Sequence, residues 1–281
     1  MADTTSSRPP TSGPAASRPG ARDIARWPRL TPLRFTLLVA AGAVLLASIG
    51  DVAPSADRLI GAVPRMGSLL ERMLPPETDP AFLGRMGLRL VETLQIALVG
   101  TLFGILLSFP LAWLSAAGLS PLGRLRWLAR GTVSLFRTVP DLVWALFFVS
   151  AVGLGAIAGT LTIIVDTAGF CGRFFAEAME DSDKRPREAL EAVGARKLDI
   201  LASAVVPQCM PSFVNTSLFA LELSVRSSVV LGIVGAGGIG QELKSAFELF
   251  QYPKASAIIL AIFVIVLMME QLTDWLRRRL G

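Results

Sequence analysis

Apolar positions in this chain fall into long unbroken runs, not into the alternation of a half-buried strand or the one-sided stripe of a surface helix. The first run occupies residues 35–50, and five more follow at about 93–117, 132–154, 156–176, 212–233 and 255–275. Each approaches the roughly 20 residues that a helix needs to cross a hydrocarbon core about 30 Å thick. The pattern predicts an all-α integral membrane protein of about six transmembrane helices. Runs three and four are nearly continuous, and Gly153, Gly155 and Gly159 mark the expected turn between them.

Residues 1–30 are rich in Pro, Ser, Thr, Gly and Arg and lack apolar periodicity. Such a segment buries too little surface to offset its ordering entropy, so a disordered tail is expected there and a membrane domain over 31–281. Arg22, Arg26, Arg29 and Arg34 before the first run resemble a signal-peptide leader. The long polar stretch in front of them makes an uncleaved anchor the expectation and a removed signal the alternative.

Composition agrees with a bilayer. The 281 residues are 52% hydrophobic and 17% charged, with a mean hydropathy of +0.57. A formal charge of +5 raises nucleic acid as a partner, but the basic residues sit beside apolar runs, as they do at membrane flanks, and form no single stripe. The chain has no histidine, which removes imidazole metal ligands and the commonest general base. Cys171 and Cys209 have no CxxC spacing and read as small buried residues, with no metal site expected. Short segments rich in Lys and Arg set orientation. Arg124, Arg126 and Arg130, then Lys184, Arg185, Arg187, Arg196 and Lys197, then Arg277, Arg278 and Arg279 fall on one side. Both termini are therefore expected in the cytoplasm, although Arg58, Arg65, Arg72, Arg85 and Arg89 in the loop expected outside oppose that count.

Between runs four and five lies EALEAVGARKLDILASAVVP, residues 188–207. Pro186 suits a helix's first turn and Gly194 its end, where positive φ is cheap only for glycine. One short helix is expected over 187–193. A second, from near Ala195, would carry Leu198, Leu201, Ala202 and Val205 on one face and Arg196, Lys197, Asp199 and Ser203 towards the other, and would lie along the membrane surface. By physics alone this is a generic interfacial helix pair. The segment also resembles the EAA motif of binding-protein-dependent ABC permeases, in Glu188-Ala189, Gly194 and Pro207, departing from it at Leu190 where the family has Ala. The resemblance implies a coupling loop over 183–207 that docks on a separate ATPase dimer, whose closure rocks the spans. The chain has no P-loop of its own, because its lysines follow Asp, Arg, Leu and Pro, never Gly.

Residues 229–243, VVLGIVGAGGIGQEL, match the dinucleotide fingerprint GxGxxG at Gly235, Gly237 and Gly240, with Gly238 between. No βαβ pattern surrounds them, and the ribose-binding acid expected about 20 residues on falls in an apolar run. A helix break and re-entrant turn, or gate, buried in protein is the reading that membrane physics favours. Arg226 inside a span is costly unless it faces a cavity or a partner. Glu222 lies one turn before it in the order that favours an ion pair, so a structural pair and a pathway role both stand. Arg137 and Asp141 flank Pro140 in a similar polar break, open to gate, kink or ion-pair roles.

Val225-Arg226-Ser227-Ser228, residues 230–240, Gln241-Glu242-Leu243 and RTVPDLVW at 137–144 together resemble the phosphonate-type permeases, and the likeness covers most of 90–275. It implies a methionine-importer-like ABC permease fold with cytoplasmic coupling helices, and a homodimer in the bacterial plasma (inner) membrane. It implies import of phosphonate, phosphite or phosphate, with a second copy of the chain, two ATPase subunits, an external solute-binding protein and membrane lipid as partners and no nucleic acid. Positive charge or hydroxyl donors for the anion would then come from Arg226, Ser227 and Ser228. No covalent chemistry and no cofactor of its own are expected, ATP and Mg belonging to the partner ATPase. The rival readings are a methionine or other amino-acid importer, a membrane-embedded nicotinamide enzyme at Gly235 to Gly240, and a non-catalytic scaffold.

Overall fold

The computed structural model describes residues 31–52 and 56–280, so the tail expected over 1–30 lies outside the described residues. The chain divides into two compact units, Met1–Ala62 and Val63–Gly281. In the first, α1 (Pro32–Val52) is a 21-residue apolar helix whose side chains, among them Leu37, Leu45 and Leu46, are exposed along its length. Helix α2 (Ala56–Met73) begins in the first unit and ends in the second. It is a correction to the sequence reading, which placed a loop there. Asp57, Arg58, Arg65 and Arg72 interrupt its apolar residues too often for a span.

The second unit is a helical bundle. Its first long apolar helix, α3 (Pro80–Ser115), starts 13 residues before the first residue expected and has 36 residues, about 54 Å at 1.5 Å per residue, longer than a hydrocarbon core is thick. Asp79 caps it by accepting from Phe82 N at 3.0 Å, with Pro80 at the first position. Helix α6 (Ala156–Asp181) packs along α3. A Cβ on Gly100 would stand 2.7 Å from Ile163 Cβ, and one on Gly104 2.5 Å from Thr167 Cβ. These two glycines, one turn apart, are what let the helix axes approach.

The third expected span is not one helix. It is α4 (Arg126–Thr138) and α5 (Asp141–Val152), bent 92° from each other. Pro140 holds Val139 extended at φ −79°, ψ 121° and offers no N–H to continue α4. The described residues therefore hold five apolar helices of spanning length, or six crossings if this bent pair is one of them.

After α6 come the short α7 (Lys184–Ala192) and α8 (Lys197–Ile200), a π-helical turn (Leu201–Val205) and α9 (Val206–Ile233). The second coupling helix expected as a separate surface element instead runs straight on, making one 37-residue helix over Lys197–Ile233. Leu201 and Val205 are buried in the bundle, which draws the helix in from the surface. Helices α10 (Ile239–Glu248) and α11 (Tyr252–Leu280) complete the unit.

Near α7 and α8 the core gathers Phe175, Met179, Ile200, Val205, Cys209 and Phe213. Phe109, Phe175 and Phe213 meet with ring centroids 4.6 to 6.4 Å apart. A second core under α10 and α11 holds Phe82, Ile239 and Ile258.

Candidate functional site

The α7–α8 hairpin is built by local chemistry and then tied to the bundle. Asp183 caps α7 by accepting from Arg185 N at 3.0 Å. Gly194 ends it at φ +79°, and Ala195 N returns to the Leu190 carbonyl at 3.0 Å, a left-handed helix stop of the kind glycine provides. Asp199 then accepts from Arg196 N at 3.3 Å and starts α8. Two cations join this hairpin to the turn that follows α3. Arg187 Nη2 donates to the Gly118 carbonyl at 2.6 Å, and Lys197 Nζ donates to the Ser120 carbonyl at 2.9 Å. From α6, Glu180 accepts from Ala117 N in the same turn at 2.7 Å.

What the hairpin leaves outside is equally specific. Glu188, Ala189, Gly194 and Pro207 are all exposed. Val193 is 80% and Leu198 59% exposed, so two branched apolar side chains stand among charges, largely uncovered by the described residues. Isolated exposed apolar residues are ordinary. Here they sit at the tip of a hairpin whose base is braced by ion–dipole bonds.

The glycine-rich segment lies at the other end of α9. Gly235, Gly237 and Gly238 have φ of +92°, +86° and +76° and are buried together with Ala236. Gly240 belongs to the first turn of α10, not to the turn itself. Protein fills the space that a phosphate cradle would leave open. A Cβ on Gly238 would meet Thr93 Oγ1 at 2.5 Å, one on Gly237 would meet Ala156 N at 2.8 Å, and one on Gly240 would run into the Val229 carbonyl. Thr93 Oγ1 accepts from Ile239 N at 2.8 Å, and Gly155 N donates to the Gly235 carbonyl at 2.9 Å. The turn is thus pinned to α3 and α6, and its glycines answer to close backbone approach. Beside it, Arg89 pairs with Glu92 at 2.7 Å and with Glu242 of α10 at 3.4 Å. Sequence reasoning did not connect these residues, because Arg89 and Glu242 lie 153 positions apart.

Between the two ends, α9 carries the expected polar residues, but not as one set. Arg226 Nη2 donates to Glu222 Oε1 at 3.2 Å, with the arginine 54% and the glutamate 14% exposed. Ser227 is half-buried, whereas Ser228 is buried and donates to the Val225 carbonyl at 2.8 Å. The triplet expected to present donors together is split across two sides of the helix, because adjacent helical residues diverge by about 100°. Arg137 ends α4 with its guanidinium 5.7 Å over the Phe174 ring, and Asp141 opens α5 and accepts from Leu142 N at 2.8 Å. The two do not pair with each other. Residues that the sequence reading passed over include Asn215 and Phe219, which are exposed on α9 in the stripe Asn215, Phe219, Glu222, Arg226 and Val230. Another is Asp166, half-buried on α6, legible in the sequence as an acid inside an apolar run.

The family model described as a binding-protein-dependent transport system inner membrane component matches residues 87–281. The chain is 40% identical over 229 residues to the phosphate-import permease protein PhnE of Mycolicibacterium smegmatis, covering 81% of this chain and 42% of that one. It thus spans less than half of that relative's length. It is 35% identical over 239 residues to the phosphite transport system permease protein PtxC of Stutzerimonas stutzeri, covering 84% and 86%. Among solved structures, a chain of the inward-facing MetNI methionine ABC transporter superposes with a TM-score of 0.63 at 22% identity, over 73% of this chain and 100% of that one. At that identity the likeness establishes the fold alone.

Proposed function

Because the chain belongs to the family of binding-protein-dependent transport system inner membrane components, we propose that it is the membrane-spanning permease subunit of an ATP-driven importer for phosphonates, phosphite or phosphate. In this reading it forms the translocation route as a pair of identical copies and takes its energy from two separate ATPase subunits that hold the ATP and Mg. An external solute-binding protein delivers the anion. The chain sits in the bacterial inner membrane as a multi-pass protein with both termini and the α7–α8 hairpin in the cytoplasm.

The observation that carries the mechanism is the hairpin: an exposed tip at Glu188, Ala189, Val193 and Leu198, on a base held by Arg187 and Lys197 to the turn after α3. A surface built this way can receive a partner and pass its displacement into the bundle without deforming. The substrate class is supported by the names of the relatives above, phosphate for one and phosphite for the other. Along the route, the open side of Arg226 and the α9 stripe supply the positive charge that such an anion needs once its water is stripped. The buried glycine turn closes the opposite end of α9 and serves as a fixed element of the gate.

The test is reconstitution. The chain, co-expressed with its ATPase and supplied with its binding protein in proteoliposomes, is expected to import labelled methylphosphonate, phosphite or phosphate only with ATP. Uptake that ignores all three anions and follows methionine instead would refute the substrate assignment, and failure to retain any ATPase would refute the coupling role.

A further inference from the structure

Helix α2 is too charged to cross a bilayer, yet residues 53–55 and 74–79 join it directly to α1 and α3, both apolar and long enough to span. A helix so placed stays at the membrane face where one span leaves and the next enters. Its far end is tied down: Ser256 Oγ donates to the Met73 carbonyl at 2.7 Å, and Glu77 N donates to the Pro253 carbonyl at 3.0 Å. Both partners lie in the first turns of α11, another helix of spanning length. The end of α2 is thereby held at the end of the bundle opposite the α7–α8 hairpin.

The side chains divide around α2. Ile60, Val63, Met66 and Leu70 recur at steps of three and four residues, which keeps them on one face. Each is between 60 and 71% exposed. Arg58, Arg65 and Arg72 lie on the other side, seven residues apart, so that successive arginines fall two turns on and form one exposed stripe. Among the described residues none of the three pairs with a carboxylate.

We propose that α2 is an interfacial helix of the leaflet away from the hairpin, and that its arginine stripe binds the phosphates of anionic phospholipids. The row from Ile60 to Leu70 sinks to the boundary between headgroups and acyl chains. The arginines lay their stems along that boundary and raise their guanidinium groups to the headgroups. Charge decides between lipid and a second copy as the occupant. A two-fold contact would set the same stripe against itself, with Asp57 and Glu71 as the acids α2 offers against three arginines. Anionic lipid brings the complementary charge. Through the Met73–Ser256 and Glu77–Pro253 bonds, the seated helix then fixes the start of α11. This inference goes beyond the importer reading and holds whatever the assembly carries.

The test uses the full permease–ATPase assembly, without binding protein, in nanodiscs of phosphatidylcholine with phosphatidylglycerol. Met66→Cys, Leu70→Cys and Ser68→Cys each carry a nitroxide, and the unsubstituted chain, whose Cys171 and Cys209 are buried, sets the background. The labels at 66 and 70 are expected to relax with oxygen, which collects in lipid, and the label at 68 with a water-soluble nickel chelate. A label at 66 shielded from both overturns the proposal, since a second copy then covers the face. One that relaxes with nickel overturns it too, since the helix then stands in water. In native mass spectrometry the wild type is expected to retain phosphatidylglycerol over phosphatidylcholine. Arg65→Gln with Arg72→Gln is expected to weaken that retention about tenfold or more, with ATPase subunits and basal hydrolysis kept as proof of folding. Unchanged retention in that double variant overturns the headgroup assignment. An assembly that passes these tests and imports no phosphorus oxyanion loses the importer reading and keeps this one.

Discussion

The same small change, glycine to alanine, should act through different causes at the end of α7 and in the first turn of α10. Gly194 has φ +79°, and no atom lies within 4 Å of the point where a Cβ would stand. Alanine there meets only the backbone penalty of a left-handed conformation, about 1–2 kcal/mol, confined to an exposed hairpin. Gly240 has an ordinary helical backbone, but its added Cβ would overlap the Val229 carbonyl and come within 3.0 Å of Gly232 Cα. Both obstacles are main chain and cannot rotate away, so the turn or α10 has to move. Overpacking of this kind costs about 1–3 kcal/mol and sometimes more, and it falls where Thr93 and Gly155 tie the segment to α3 and α6. The check is a thermal unfolding series on the detergent-solubilised chain, paired with ATPase retention on a sizing column. Gly194→Ala should leave the melting midpoint of the chain nearly unchanged while reducing ATPase retention about fivefold to thirtyfold, the factor that 1–2 kcal/mol represents. Gly240→Ala should lower the midpoint by several degrees. A Gly240→Ala chain that melts like the wild type, or a Gly194→Ala chain that melts with the larger loss, would refute the assignment of one glycine to conformation and the other to close packing.

Three further outcomes are expected. Thr93→Val removes the hydroxyl that accepts from Ile239 N at 2.8 Å in a buried setting and should cost about 1–3 kcal/mol through the orphaned N–H, read as a lowered unfolding midpoint with Thr93→Ser partly restoring it. Arg187→Ala cuts the bond to the Gly118 carbonyl at 2.6 Å and the ion pair to Glu191 at 3.1 Å; the bundle should stay folded while ATPase turnover and uptake come apart, seen as hydrolysis without transport in proteoliposomes. Arg226→Ala should reduce phosphonate uptake at least tenfold in assemblies that still hydrolyse ATP, with Glu222, only 14% exposed, left without its partner; uptake equal to the wild type would make the pair structural.

Much of this was legible in the chain because each legible feature has a local cause. Run length announces a membrane helix, and Gly194 and Pro186 announce a hairpin through backbone conformation alone. The Glu222 to Arg226 spacing announces a pair that forms. The illegible features depend on distant chain. Residues 132–154 read as one span by hydropathy, yet Pro140 turns the path by 92°, and whether a membrane proline kinks or breaks a helix depends on what its neighbours satisfy. Residues 195–205 have an amphipathic pattern, and the bundle claims their apolar side by burying Leu201 and Val205, a tertiary choice that periodicity cannot decide. Ser228 was grouped with Arg226 by adjacency, although neighbours on a helix point apart.

The way α9 is wound bears on how a push at the hairpin would travel. The buried residues Leu201 and Val205 of the preceding π-helical turn and Cys209 and Phe213 of α9 recur every four positions. In a pure α-helix of 3.6 residues per turn such a row drifts about 40° per step and would leave the core within a few turns. The π-helical turn at Leu201–Val205 widens the winding there and holds the row against Phe175 and Met179. The result is one continuous helix of about 55 Å over Lys197–Ile233, with Pro211 in its interior. At its hairpin end the rod is bonded to the turn after α3. At its other end the glycine turn is bonded to α3 and α6. A force applied at Val193 and Leu198 therefore enters α3, α6 and α9 through bonded contacts, and packed cores shift between discrete arrangements more readily than they bend. The motion this construction permits is a rocking of the bundle as one body.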